Sequence, residues 1–190
     1  MELLKVVLLL LLAAASSHSQ SFHFLKCPTP TLQENFNATK YLGTWYEIEK
    51  LPAMFERGTC VQAKYSLRPD GTVRVHNSEL LANGKINSIE GVATITDPSQ
   101  PAVLSVSFYR GLPDAPYMVL STDYSSYSLV YSCSDYLGLF HVDFAWILSR
   151  TRELDGATIG QLRNELTAIG VDTDRLSITA QTGCGVMDSG

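Results

Sequence analysis

The chain has 190 residues, 45% of them hydrophobic and 17% charged, the balance of one ordinary globular domain and not of a disordered or collagen-like chain. Its 14 Lys and Arg stand against 19 Asp and Glu for a net charge of -5, with no basic cluster. The cationic footprint that neutralises phosphates is missing, which excludes nucleic acid as a partner.

The first segment carries one early cation, Lys5, then an apolar run through Leu12 and small residues up to Ser19. Such a run is too short for a membrane span and is flanked like a secretory signal peptide, with Ser17 and Ser19 at the positions a signal peptidase reads. The expected organisation is a signal peptide over residues 1–19 and a single domain over residues 20–190. No second apolar stretch of spanning length follows, so the expected product is secreted, extracellular and not membrane-spanning.

From Thr44 to Arg150 the sequence reads as short alternating segments broken by turn residues at nearly regular spacing, the pattern of an antiparallel sandwich or barrel. After a first strand at Trp45, Val61, Ala63, Tyr65 and Leu67 alternate with Gln62, Lys64, Ser66 and Arg68, giving one apolar and one wet face. Pro69-Asp70-Gly71 turns the chain, and Val73, Val75 and Asn77 then share a face opposite Arg74 and His76. Asn83-Gly84 is a type I′ hairpin signal before a strand from about Ile86 to Thr96, which Asp97-Pro98 ends. Leu104, Val106 and Phe108 alternate with Ser105 and Ser107, and further strands lie near Tyr117 to Thr122 and Tyr127 to Cys133. The last long strand runs from His141 to Ser149, with Val142, Phe144, Trp146 and Leu148 on one face and His141 and Asp143 on the opposite, solvent-facing side.

These make eight strands. Ile159, Leu162, Leu166 and Ile169 follow at helical spacing, with Thr158 and Gln161 as a capping box and Gly170 at the C′ position. A short strand from Leu176 to Ala180 closes the pattern. Eight meandering strands and one helix with a single apolar stripe fit an all-β, antiparallel up-and-down barrel with the C-terminal helix packed outside, whose interior has room for one small ligand.

In an oxidising compartment Cys27, Cys60, Cys133 and Cys184, even in number and far apart, read as two disulfides. No Cys-x-x-Cys or nearby His spacing suggests zinc, and neither a metal nor a cofactor is expected. The sequence itself leaves three pairings open.

Three separated motifs complete the reading. Gly43-Thr44-Trp45-Tyr46 opens the first strand, Thr122-Asp123-Tyr124 turns between two later ones, and Arg150 ends the eighth. In order and spacing they resemble the three signature regions of the kernel lipocalins, and the likeness extends through Asn35-Phe36-Asn37, Tyr131-Ser132-Cys133 and Phe140 to Leu148. The resemblance implies the pairings Cys27 with Cys133 and Cys60 with Cys184, and it places Trp45 and Arg150 at the closed end of the barrel. There a guanidinium on an indole face contributes about 0.5 to 2 kcal/mol. Asp123 and Thr122 read as turn chemistry.

The same resemblance implies that Tyr65, Asn77, Phe108 and Trp146, with Tyr41 on the N-terminal segment, line the ligand pocket. The expected function is carriage of a small hydrophobic molecule such as a fatty acid, eicosanoid or steroid. Lipoprotein particles and a cell-surface receptor are further partners that relatives suggest, through an apolar mouth loop of Leu112, Pro113, Ala115, Pro116 and Tyr117 that Arg110 and Gly111 interrupt. Asn37-Ala38-Thr39 is a glycosylation sequon, whereas Lys64 stands where relatives carry a second acceptor Asn.

Against an enzyme stand the absence of Gly-x-Ser-x-Gly, His-Glu-x-x-His and phosphate-loop motifs. One lipocalin branch isomerises prostaglandins with a free thiol inside the barrel, which requires an unpaired, activated Cys. That isomerase and an empty-barrel, protein-binding module are the two alternatives.

Overall fold

The computed structural model describes residues 21–24, 26–109 and 113–187. The expected signal peptide and the Arg110, Gly111 and Leu112 portion of the mouth loop lie outside the described residues.

Ten strands lie in one antiparallel sheet among the described residues. After β1 (Ser21–Phe24) and the single-turn helix α1 (Ala38–Tyr41) come β2 (Gly43–Lys50), β3 (Thr59–Leu67), β4 (Val73–Leu80) and β5 (Ile86–Ile95). They continue with β6 (Val103–Ser107), β7 (Ala115–Thr122), β8 (Tyr127–Tyr136) and β9 (Phe140–Ser149). Consecutive strands from β2 to β9 pair with one another, and β9 returns to pair with β2 at Tyr46↔Ser149 and Lys50↔Trp146. This is the expected eight-stranded closed barrel. Closure removes the open edges that would otherwise template further pairing.

Two strands stand outside that count. β1, which was not among the expected strands, pairs along β9 from Ser21↔Asp143 to Phe24↔Phe140. The expected strand from Leu176 to Ala180 shrinks to β10 (Ser177–Ile178), paired with Glu49 and Lys50 of β2. β1 runs along β9, and the Cys27–Cys133 bond ties the same N-terminal segment to β8, with Cys27 and Leu32 packed on the outer layer that includes Tyr131 and Ala145. His141 and Asp143 are buried, at 7% and 2% exposure, and not the solvent-facing pair that alternation suggested. The Tyr131 hydroxyl donates to Asp143 Oδ2 at 3.1 Å.

Helix α2 (Gly156–Ala168) packs on the outside, with Leu162 and Leu166 fully buried against a layer that includes Ile48, Leu129, Tyr131 and Ile147. Its cap lies three residues before the expected one. Asp155 accepts from the Thr158 amide at 2.9 Å and from its hydroxyl at 2.6 Å, while Gln161 bonds Glu165. A carboxylate at the N-cap meets both the orphan amides and the helix dipole, which the hydroxyl of Thr158 would do less well. At the other end Gly170, with φ of +88°, donates to Thr167 O while Val171 donates to Leu166 O, the paired bonds of a Schellman stop that the expected C′ glycine permits.

The register shift in β2 between Glu47 and Glu49 positions the site. A bulge reverses the in-out alternation after it. Trp45 and Glu47 face the interior, whereas Ile48 joins the layer under α2 and Glu49 receives Arg163 of that helix at 2.8 and 2.7 Å. Lys50, an outward residue by strict alternation from Trp45, is thereby returned to Glu47 at 3.2 Å.

Beyond Tyr46 and Gln62, β2 and β3 part company. The C-terminal segment fills the space. Thr179 donates its amide to Ile48 O, Cys60 donates its own to Ala180 O, and Gln181 Nε2 donates at 2.8 Å to both Glu47 O and Val61 O. Arg152 satisfies the amide oxygen of Gln181 at 2.7 Å, and the Cys60–Cys184 disulfide anchors the tail.

Candidate ligand-binding site

One end of the barrel is sealed by α1 and the signature residues. Trp45 is fully buried, and its indole N–H donates to Tyr41 O at 2.9 Å. The Arg150 guanidinium lies 3.7 Å from the centre of that indole and donates to Tyr124 O, Thr44 O and the Lys40, Tyr41 and Leu42 carbonyls. One side chain thus ties β2, the β7–β8 turn and the C-terminal end of α1 together. Gly43, with φ of +100°, is required for this contact, since a Cβ there would sit 3.2 Å from Arg150 Nη1. Asp123 accepts from the amides of Ser125, Ser126 and Tyr127 and from the Ser126 hydroxyl. Partial burial works against its charge, but these bonds prevail and hold the carboxyl down at about 2. Thr122 accepts from the Tyr124 amide and donates to Tyr127 O, so it too belongs to the turn.

Above this seal lies a cavity of about 520 Å³. Tyr41, Tyr65, Asn77, Phe108 and Trp146 all line it, so residues from five separated parts of the chain meet at one space. The walls between are apolar, from Val61, Val73 and Val75 on one side to Leu104, Val106 and Leu148 on the other.

The floor is a chain of hydroxyls. Tyr41 bonds Ser128 at 2.8 Å and Tyr117 at 3.0 Å, and Tyr117 bonds Tyr65 at 3.0 Å. Burial pushes the Tyr41 phenol up to about 12, against the bonds to Ser128 and Tyr117 and the charge of Arg150. It raises Tyr65 and Tyr117 further, so all three stay neutral donors and acceptors. Tyr117, the start of the expected strand as well as the end of the expected mouth loop, belongs to β7, which begins two residues earlier and takes in Ala115 and Pro116; all three line the cavity with Pro113.

The open end carries an aromatic ladder of Phe55, Phe144 and Trp146, with ring centres 5.3 and 5.9 Å apart. Beneath the loop over residues 51–58 sits a cluster that sequence reasoning missed. Lys50 Nζ contacts Glu47 Oε1 at 3.2 Å and Glu56 Oε2 at 3.0 Å. Trp146 Nε1 donates to the same Glu56 oxygen at 3.3 Å, so its N–H is already engaged and is not a spare donor for a ligand. Burial, then the charge of Glu56, drives the Glu47 carboxyl up to about 8 against the pull of Lys50 and the Thr179 hydroxyl. Burial disfavours the Lys50 ammonium, but Glu47 and Glu56 outweigh it and raise its pKa. Glu47 was legible as a charge on the face of Trp45; the bulge hid Lys50.

A family model described as "Lipocalin-like domain" matches residues 36–181. The chain is a lipocalin. Among its relatives, apolipoprotein D of Cavia porcellus is 50% identical over 168 residues, covering 88% of this chain and 89% of that protein. Apolipoprotein D of Mus musculus is 48% identical over 169 residues, covering 89% of each. Among solved structures, insecticyanin from the tobacco hornworm Manduca sexta superposes with a TM-score of 0.73 at 27% identity, covering 87% of this chain and 92% of that one.

Proposed function

We propose that this lipocalin is an extracellular carrier of a small hydrophobic molecule, secreted after removal of residues 1–19 and serving lipid transport. The observation that carries the reading is the barrel cavity of about 520 Å³, apolar along its walls and polar at its floor and mouth. A ligand entering it gains about 25 cal/mol for each Å² of apolar surface removed from water, and a few fixed polar groups orient it. Tyr65, Asn77, Phe108, Trp146 and Tyr41 are the proposed contacts. Two disulfides suit an oxidising, extracellular setting. The thiol-dependent isomerase reading has no group to act with, because all four cysteines of the sequence are paired.

Native mass spectrometry of the protein secreted from animal cells tests this. One small apolar molecule per chain and a mature start at Gln20 are expected. A barrel that emerges empty, and whose tryptophan fluorescence ignores neutral steroids and long-chain alcohols, overturns the carrier in favour of a protein-binding module.

A further inference from the structure

The polar end of the cavity has a definite sign. Its described lining contains three glutamates, Glu47, Glu56 and Glu79, and no Lys, Arg or His. Among the described residues a cation, Lys50, bonds two of these glutamates, and its three hydrogens face three acceptors: Glu47 Oε1 at 3.2 Å, Glu56 Oε2 at 3.0 Å and the Glu56 carbonyl at 3.3 Å. An ammonium has three donors and no more. Nothing on Lys50 is left to receive an incoming carboxylate. The Arg57 side chain is exposed and donates to Met54 O, while its backbone amide, with that of Gly58 and the Asn87 side chain, holds the Glu79 carboxylate in the wall. Burial opposes charge on Glu79, but those bonds win and lower its pKa. Two residues before Glu79 on the same strand, Asn77 Oδ1 is buried without a hydrogen-bond partner among the described residues. What this end of the cavity offers, then, is acceptors with spare lone pairs and negative charge in excess of positive.

We propose that the cavity selects its ligand by the head group, taking an apolar molecule that ends in an amine and turning away a carboxylate on the same chain. The proposal rests on the carrier reading and narrows it, setting fatty acids and acidic eicosanoids aside. An alkylammonium brings the donor that Asn77 Oδ1 lacks and a positive charge to set against the excess of carboxylates. A carboxylate brings a further negative charge beside the Glu56 and Glu79 carboxylates, which share one ammonium, in a space where water screens poorly and desolvation is not repaid.

Three probes of one chain length separate the contributions: dodecylamine, dodecanol and laurate, each kept below its aggregation concentration at pH 7. They are titrated into the delipidated, full secreted chain by calorimetry, with stoichiometry and displacement by dodecanol confirming that the amine occupies the cavity. The amine should bind one per chain, tighter than the alcohol, with laurate at least tenfold weaker than the amine. Glu79→Gln should shrink the ratio of amine to laurate affinity several-fold while leaving dodecanol nearly unchanged. Laurate binding as tightly as dodecylamine overturns head-group selection and leaves the carrier standing. If none of the three binds, the carrier reading fails and this proposal with it. An amine preference untouched by Glu79→Gln overturns its assignment to that carboxylate. Where a variant does not fold, the comparison of the three probes on the unaltered chain decides alone.

Discussion

Replacing Arg150 by Ala removes a guanidinium that stacks on Trp45 at 3.7 Å and donates to carbonyls from α1, the residue after it, β2 and the β7–β8 turn. The stack contributes about 0.5 to 2 kcal/mol, and a charge-assisted hydrogen bond about 1.5 to 3 kcal/mol where the acceptor is otherwise stranded. The residue is half-buried and its outer carbonyls regain water, so the bonds do not add in full. The expected loss is about 2 to 4 kcal/mol, at the upper end for single substitutions. Denaturant unfolding of the oxidised protein measures it, as a lowered midpoint with an unchanged slope. Arg150→Lys should recover less than half, because an ammonium keeps the charge but has neither the plane to stack nor the fork to reach five carbonyls. Arg152, 4.4 Å from the Tyr46 ring and bonded to Gln181 and Gln62, serves as the comparison, with a loss of about 1 kcal/mol expected for its Ala variant. An Arg150→Ala protein within about 0.5 kcal/mol of the parent would falsify the closed-end lock, since surface substitutions already cover that range.

Trp146→Phe should abolish the fluorescence response to an apolar ligand, whereas Trp45→Phe should preserve it; the reverse pattern in ligand titrations would move the cavity to the other end of the barrel. Glu47 holds its proton to about 8 in the folded protein and to about 4.5 when unfolded, so its contribution to stability is present below 4.5 and is lost as pH rises toward 8. Glu47→Gln should therefore gain on the parent in melting temperature across that window, and parallel curves from pH 4 to 9 would refute the burial argument. Asn37 is exposed and caps α1 through its Oδ1, which accepts from Lys40 N at 3.0 Å, leaving its Nδ2 for a glycan; Asn37→Gln should lower the mass of the secreted protein by one N-glycan, and an unchanged mass would show the sequon unused.

What the sequence made legible follows from the physics of a half-buried strand. Val61, Ala63 and Tyr65, or Val73, Val75 and Asn77, alternate because one face meets the cavity and the other meets water, and each of these residues lies on the cavity wall. The pattern goes silent where that condition fails. β1 is only four residues long and lies directly after the expected cleavage site, and its pairing along β9 joins positions more than a hundred residues apart. Lys50 was hidden because a bulge is a fact of pairing, not of composition. The Thr158–Gln161 capping pattern set the expected helix start three residues late, because the true cap, Asp155, is followed by Gly156, a poor helix former.

The wall beside Glu47 is closed by a side chain instead of a strand: one amide group, that of Gln181, spans the parted carbonyls of β2 and β3. Such a seam has a direction. Gln181 lies ahead of the Cys60–Cys184 bond, so a fusion partner joined at the C-terminus leaves the seam covalently anchored. Truncation ahead of Gln181 would leave two buried carbonyls facing each other with no donor between them, and the barrel would be open along its side.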